Sequence, residues 1–184
     1  MSSMQKNEEA YLFTSDRLGF RNWLETDLSE FAKINADPAV MAHFPFALTF
    51  QETKKLMARL QAMYLKMGYT YFAVQVLKTG EFIGFIGLAY QDYEAPFNPA
   101  TDIGWRLKKS AWGKGFATEG AKRCVDYAFN ELKLDRLVAT CTVDNEKSEN
   151  VMQKIGMTRQ GAFKHSKLKK FPDYEQCVWY TLSK

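Results

Sequence analysis

The sequence predicts an α+β fold, in which a mixed, mostly antiparallel sheet of about seven strands carries helices on both faces. Several short segments alternate apolar and polar residues, as half-buried strands do, and others repeat apolar residues at helical spacing. In addition, a helical segment at 117–132 joins strand-like segments at 101–107 and 135–142. Such a helical crossover implies a parallel pair of strands near the centre of the sheet.

The first third of the chain predicts one strand followed by two helices. Residues 12–21 are typical of an opening strand, although an Asp-Arg pair breaks their alternation. Apolar residues within 24–34 have helical spacing, and an Asp-Pro pair ends that helix. Thr49 and Glu52 form a capping-box pattern before a second amphipathic helix, which ends at Gly68.

The remaining elements follow from the same patterns. A Lys-Thr-Gly turn joins two strands, and a loop with two prolines follows them. A basic loop separates the last two strands. The predicted strands are 69–77, 81–90, 101–107, 135–142, 157–163 and 175–182, and the later helices are 117–132 and 147–155.

The length of 184 residues predicts a single domain, residues 11–184, preceded by a disordered tail of residues 1–10. The composition is 46% apolar and 25% charged, as in globular proteins. No apolar run is long enough to span a bilayer, and the polar first residues lack a secretory apolar core. We therefore expect a cytoplasmic protein with no membrane partner.

The sequence does not indicate a metal or a nucleic-acid site. Cys124, Cys141 and Cys177 lie far apart and the chain has two histidines, so we expect structural cysteines and no metal. The net charge of +4 permits an anionic ligand without indicating a nucleic-acid binder. A ribosome or nucleic acid could contact the basic loop at 164–170, but a solvated loop is the simpler explanation.

A glycine turn lies between the 101–107 strand and the crossover helix. It reads Trp112-Gly113-Lys114-Gly115-Phe116-Ala117 and continues into Thr118-Glu119. In a strand, turn and helix of this kind, backbone N–H groups and the helix dipole converge on an anion, and glycines allow a phosphate to approach. No Ser or Thr follows the lysine directly, which excludes the phosphate loop of nucleotide hydrolases. The turn alone fits an ordinary helix start equally well.

Taken together, four segments resemble the GNAT N-acyltransferases, most closely the branch that includes the ribosomal-protein N-terminal acetyltransferases. The opening strand and the Asn-x-x-Ser start of the later helix match that branch, as do the central strand and the glycine turn. The segments are 12–21, Ile103-Gly104-Trp105-Arg106-Leu107, 112–119 and 145–157. The resemblance implies a sheet that splays at its central parallel pair and binds acetyl-CoA as cosubstrate, with no metal.

The resemblance also implies the cofactor contacts. The backbone N–H groups of residues 113–117 would hold the CoA pyrophosphate, with Trp112, Lys114 and Thr118 beside it. The pantetheine arm would pair with the main chain of Trp105, Arg106 and Leu107, whose Leu107 N–H would donate to the thioester carbonyl. Asn145 would bond the pantetheine amide and Ser148 would lie near the sulfur; helix capping is the competing explanation for both.

The resemblance suggests Asp102 as the general base that neutralises the attacking amine, directly or through a water. The similar branch usually carries Glu there, and a strand-end aspartate in solvent is the other reading. Some relatives also carry a Glu-Gly pair where this chain has Gln160-Gly161, so a base at that place is absent. His43, Phe44, Tyr90 and His165 are the candidates for lining the acceptor pocket, unless they are ordinary surface or core residues.

We therefore expect direct transfer of an acetyl group to a primary amine in a ternary complex. The acceptor is open: a protein N-terminus, an amino sugar, a polyamine or a small-molecule amine. A non-catalytic acyl-CoA-binding module is the alternative, and a nucleotide-phosphate binder is a third. A homodimer through edge strands is conceivable, but no sequence feature indicates one.

Overall fold

The computed structural model describes residues 11–184, so the predicted tail of residues 1–10 lies outside the described residues. One eight-stranded sheet runs through the described chain. Its strands are β1 (Phe13–Thr14), β2 (Leu18–Arg21), β3 (Tyr71–Val76), β4 (Glu81–Gln91), β5 (Ala100–Leu107), β6 (Arg136–Thr142), β7 (Thr158–Lys164) and β8 (Gln176–Ser183). The helices are α1 (Leu28–Ala36), α2 (Phe50–Met67), α3 (Phe116–Asp126), α4 (Glu146–Lys154) and α5 (Pro172–Glu175).

The strand order is β1-β2-β3-β4-β5-β6-β8-β7, with β5 and β6 parallel and every other neighbouring pair antiparallel. The predicted mixed sheet with one central parallel pair is confirmed. The strand count differs by one because residues 12–21 form a hairpin: the Ser15 N–H donates to the Leu18 carbonyl at 2.9 Å, and β1 folds back on β2. The break in the alternation therefore marks a turn.

Helix α2 begins with the capping box and ends at the glycine that the sequence predicts. Thr49 accepts a hydrogen bond from the Glu52 N–H at 3.2 Å, and the Glu52 carboxylate accepts from the Thr49 N–H at 2.7 Å. Gly68 ends the helix at a φ of 76°. The short helix α5 follows the predicted basic loop at 164–170, and the crossover helix widens into a π turn after Asp126. None of the helices within residues 11–184 is long and apolar enough to cross a membrane.

Two apolar clusters cover the two faces of the sheet. The larger one packs α3 and α4 on one face, and a smaller one packs α1 and α2 on the other. α3 lies so close to the sheet that a Cβ on Gly120 would be 2.3 Å from the Ile86 side chain. Along β5 the side chains alternate, so Ile103 and Leu107 join the larger cluster. Asp102 and Arg106 consequently point to the α1–α2 face, where they contact its residues.

Candidate active site

The parallel strands β5 and β6 separate almost as soon as they meet. Their register contains a single pair, Asp102 opposite Val138, although both strands continue toward their carboxyl ends. The sheet is therefore open beyond Asp102. An opening at the carboxyl end of parallel strands is where open α/β sheets bind ligands.

The main chain of β5 faces this opening at alternate residues. The N–H of Lys108 donates to the Ile83 carbonyl at 2.9 Å, which fixes the even-numbered backbone groups toward β4. The N–H groups of Trp105 and Leu107 therefore point toward β6, into the opening. The resemblance implies that Arg106 also contacts the cofactor, but the structure does not place it to do so. Its backbone N–H and C=O groups face β4, and its side chain lies on the α1–α2 face.

The glycine turn starts where the opening ends. The indole N–H of Trp112 donates to the Leu107 carbonyl at 2.8 Å and ties the turn to β5. Gly113 and Gly115 have φ values of 72° and 78°, which other residues adopt only with strain. α3 begins at Phe116, so its unpaired N–H groups and dipole point toward this exposed turn. Ala117 and Thr118 lie in the first turn of α3.

A clamp that the sequence did not reveal holds this turn from outside. The carboxylate of Glu119 accepts hydrogen bonds from the Ser15 hydroxyl at 2.7 Å, the Arg17 N–H at 2.8 Å and the Arg17 Nε at 2.6 Å. Arg17 Nη1 in turn donates to the Lys114 carbonyl at 2.9 Å. The partners lie about a hundred residues apart, so no local pattern predicts the contact.

The start of α4 reaches the same place. Asn145 caps the helix, because its side chain accepts from the Ser148 N–H at 3.1 Å. Asn145 therefore has the helix-capping role that is the alternative to a contact with the pantetheine amide. Lys147 lies over the Trp112 ring, 4.5 Å from its centroid, so the two segments singled out in the sequence meet across the opening. The side chain of Lys114 is exposed.

Asp102, where the two strands part, is held by two donors from other strands. The Tyr71 hydroxyl donates to Oδ1 at 2.6 Å and Gln91 Nε2 donates to Oδ2 at 3.1 Å. Burial raises the pKa of Asp102 to about 7, and these hydrogen bonds oppose the rise. Burial and the Asp102 charge hold the pKa of Tyr71 well above its usual value, so Tyr71 stays a donor. Near neutral pH Asp102 can therefore both accept and release a proton.

Two of the proposed acceptor residues lie in the loop between α1 and α2. His43 Nδ1 lies 3.3 Å from the Asp144 carboxylate and 3.3 Å from the Thr142 hydroxyl, at the carboxyl end of β6. The ring of Phe44 covers the Arg106 guanidinium at 4.4 Å. This loop consequently spans the α1–α2 face of the opening.

The β7–β8 connection borders the same face. His165 stacks on Tyr93 with ring centroids 4.4 Å apart, and burial, with the charge of Lys167, lowers its pKa. Phe46 meets Phe171 edge to face at 5.9 Å, which links this connection to the α1–α2 loop.

Tyr90 is not brought to this face. It lies opposite Thr101 in the β4–β5 register, one residue from the position opposite Asp102. Because side chains alternate along a strand, Tyr90 is on the other side of the sheet, and its neighbour Gln91 contacts Asp102 instead. The prediction for Tyr90 therefore failed by one residue of register.

The three cysteines offer no reactive thiolate. Burial raises the pKa of Cys141 to about 12 and that of Cys177 to about 11, and Cys124 is raised further by complete burial. All three thiols stay protonated at neutral pH. Across residues 11–184 no group of three His, Cys, Asp or Glu side chains could hold a metal ion.

The chain matches an acetyltransferase family in sequence and in fold. Residues 17–158 match the family described as Acetyltransferase (GNAT) domain. The uncharacterized N-acetyltransferase p20 of Bacillus licheniformis is 27% identical over 150 residues, 80% of this chain and 82% of its own. A GNAT-family acetyltransferase structure from Bacillus anthracis is 27% identical with a TM-score of 0.75, covering 92% of this chain and 96% of its own.

The fold is also shared with a ribosomal-protein acetyltransferase. The structure of the ribosomal L7/L12 alpha-N-protein acetyltransferase in complex with coenzyme A has a TM-score of 0.74 at 20% identity. The match covers 94% of this chain and 97% of that one. Structural neighbours thus include the branch that the sequence resembles.

Proposed function

The chain belongs to the GNAT acetyltransferase family, and from that premise we propose that it transfers the acetyl group of acetyl-CoA directly to a primary amine, with Asp102 as general base. The observation that carries the proposal is the opening between β5 and β6, which begins at Asp102 and ends at the glycine turn. It joins a candidate base, free backbone donors and an anion site along one strand.

The CoA pyrophosphate would bind the N–H groups of residues 113–117. Residues 113–115 are exposed, and no atom lies within 4 Å of a Cβ built on Gly113. The pantetheine arm would then run between β5 and β6 as an added strand, pairing with Trp105 and Leu107. Lys147, which lies over the Trp112 ring, would cover the pantetheine arm on the side of α4.

The transfer forms one C–N bond and breaks one C–S bond. The neutral amine attacks the thioester carbon, and the N–H of Leu107 stabilises the oxyanion. Before the attack, Asp102 takes one proton from the ammonium form of the acceptor through water along this face of β5, and a pKa of about 7 suits a base at neutral pH. The second amine proton leaves with the CoA thiol, and Ser148 at the start of α4 is the candidate for delivering it.

A non-catalytic acyl-CoA-binding module is the second candidate, because both oxygens of Asp102 already accept hydrogen bonds. A thiol-release assay separates the two functions. A panel of N-terminal peptides, amino acids and polyamines is mixed with acetyl-CoA, and free thiol is followed with a chromogenic disulfide. Acceptor-dependent thiol supports the enzyme. Tight acetyl-CoA binding without acceptor-dependent thiol from any member of the panel would favour the module.

A further inference from the structure

Arg106 lies on the α1–α2 face of β5, where the described residues 11–184 give it no acidic partner. Its Nη1 donates to Asn35 Oδ1 at 2.8 Å, and its guanidinium lies between the rings of Phe44 and Phe85, 4.4 and 5.3 Å from their centroids. Within residues 11–184, its Nε–H is buried with no hydrogen-bond partner, and no Asp or Glu forms an ion pair with it.

Arg21, a buried arginine of this chain, shows what the half-buried Arg106 lacks. Arg21 has a side chain that is 7% exposed, and it donates from Nη1 and Nη2 to the two carboxylate oxygens of Asp27, each at 2.7 Å. Buried charges are paired in this way as a rule. Burial without such a partner lowers the pKa of Arg106 to about 10. Arg106 is therefore a half-buried cation that has a buried Nε–H and no anionic partner within residues 11–184.

The unused edge of the guanidinium has a defined shape. Asn35 occupies only Nη1, which leaves the edge that contains Nε. A planar carboxylate pairs with such an edge through two parallel hydrogen bonds. The ring above it belongs to Phe44, which is 42% exposed in the loop between α1 and α2. A ligand carboxylate would reach the edge by displacing this ring.

Arg106 also lies at the right place on β5. It stands between Trp105 and Leu107, whose N–H groups face the opening, and it shares a face with Asp102. Four residues of extended strand separate Asp102 and Arg106 by about 13 Å. An anion at Arg106 would sit beside the thioester, and Asp102 would lie farther along the same face.

We propose that Arg106 binds a carboxylate of the acceptor, so that the substrates are amino acids, molecules in which the acetylated amine accompanies a carboxylate. This inference rests on the proposed function of the site. A polyamine would instead bring a second ammonium group against the unpaired guanidinium, which disfavours it.

The test uses matched acceptors that differ only in the carboxylate. Each common amino acid is compared with its decarboxylated amine in the thiol-release assay. We expect kcat/KM for at least one amino acid to exceed that of its amine by about 30-fold or more, since a site built around a polar group rejects analogues that lack it. Equal or better use of the decarboxylated member in every pair that reacts would overturn the inference while leaving the acetyltransferase function intact.

Variants then assign the preference to Arg106. In Arg106→Gln the preference should disappear, and in Arg106→Lys it should fall strongly, because a lysine keeps the charge but not the planar edge. Arg159→Gln removes an exposed arginine that pairs with Glu149 at 3.6 Å, and should keep the preference. Acetyl-CoA affinity and melting temperature, measured on each variant, separate lost folding from lost recognition.

A spectroscopic measurement keeps the inference testable without turnover. N-acetyl amino acids, the expected products, are titrated into protein with 15N-labelled arginine, and the Nε–H signal that is absent from Arg106→Lys is followed. A shift with N-acetyl amino acids and none with the matching N-acetyl amines supports the carboxylate site. If no amine reacts and this signal does not move, both the inference and the proposed function fail; if it moves without turnover, only the proposed function fails.

Discussion

Tyr71 donates its hydroxyl hydrogen to Asp102 at 2.6 Å, across two strand boundaries from β3 to β5. The ring of Tyr71 also lies under the main chain of β5, 3.1 Å from where a Cβ on Gly104 would be. A side chain at position 104 would push this ring away by a few tenths of an ångström. Tyr71 therefore supports the candidate base both sterically and electrostatically.

Replacing Tyr71 with Phe should move the acidic limb of the pH–rate profile to higher pH. The lost hydrogen bond stabilises ionised Asp102, so its removal raises further a pKa that is already about 7. The measurement is kcat/KM between pH 5.5 and 9 for wild type and Tyr71→Phe. A limb that stays in place would show that Asp102 does not govern the rate. Tyr64→Phe is the matched control, because this tyrosine packs at the edge of the other cluster.

Asp102→Asn should slow turnover strongly and yet stabilise the fold at alkaline pH. The folded pKa, about 7, lies above the unfolded value near 4, so stability contributed by the neutral carboxyl is present at low pH and is lost as the pH rises through 7. At pH 8.5 the variant could gain up to about 4 kcal/mol over wild type, and near pH 4 little. Urea unfolding at both pH values tests this. If the variant and wild type differ in free energy of unfolding by the same amount at both pH values, Asp102 is not buried as a neutral acid.

Gly115→Glu should abolish acetyl-CoA binding and leave the fold largely intact. The new carboxylate would face the pyrophosphate, and the left-handed φ of 78° adds strain of about 1 kcal/mol. Gly80→Glu is a matched control, because Gly80 has a φ of 71° in the β3–β4 turn and open space around it. Calorimetric titration with acetyl-CoA measures the affinity of both variants. Unchanged affinity in Gly115→Glu would refute the pyrophosphate site.

Local chemistry made much of this fold predictable. The capping box at Thr49, the stop at Gly68 and the glycine turn depend on residues close in sequence, and they formed as expected. The surroundings of Asp102 could not be predicted, because Tyr71 lies 31 residues away and depends on the register of three strands. The same dependence on register decides that Gln91, and not its neighbour Tyr90, contacts Asp102.

Glu119 should matter for acetyl-CoA affinity although it is not placed to touch the reacting atoms. Its carboxylate binds Ser15 and Arg17, and Arg17 Nη1 holds the Lys114 carbonyl inside the glycine turn. With Glu119→Ala, Arg17 loses the acceptor that orients it, and the turn loses its tether. Hydrogen bonds to a charged group contribute about 1.5–3 kcal/mol, so we expect acetyl-CoA affinity to weaken about tenfold, with a lower melting temperature.

A matched variant separates this tether from a general loss of charge. Glu131→Ala removes another carboxylate that pairs with an arginine, Arg123, at 3.0 Å, but leaves the glycine turn alone. Its acetyl-CoA affinity should match wild type. Glu119→Gln should fall between wild type and Glu119→Ala, since an amide oxygen still accepts from Ser15 or Arg17 but without the charge. Equal affinity in all four proteins would mean that the turn holds its shape through Gly113, Gly115 and Trp112 alone.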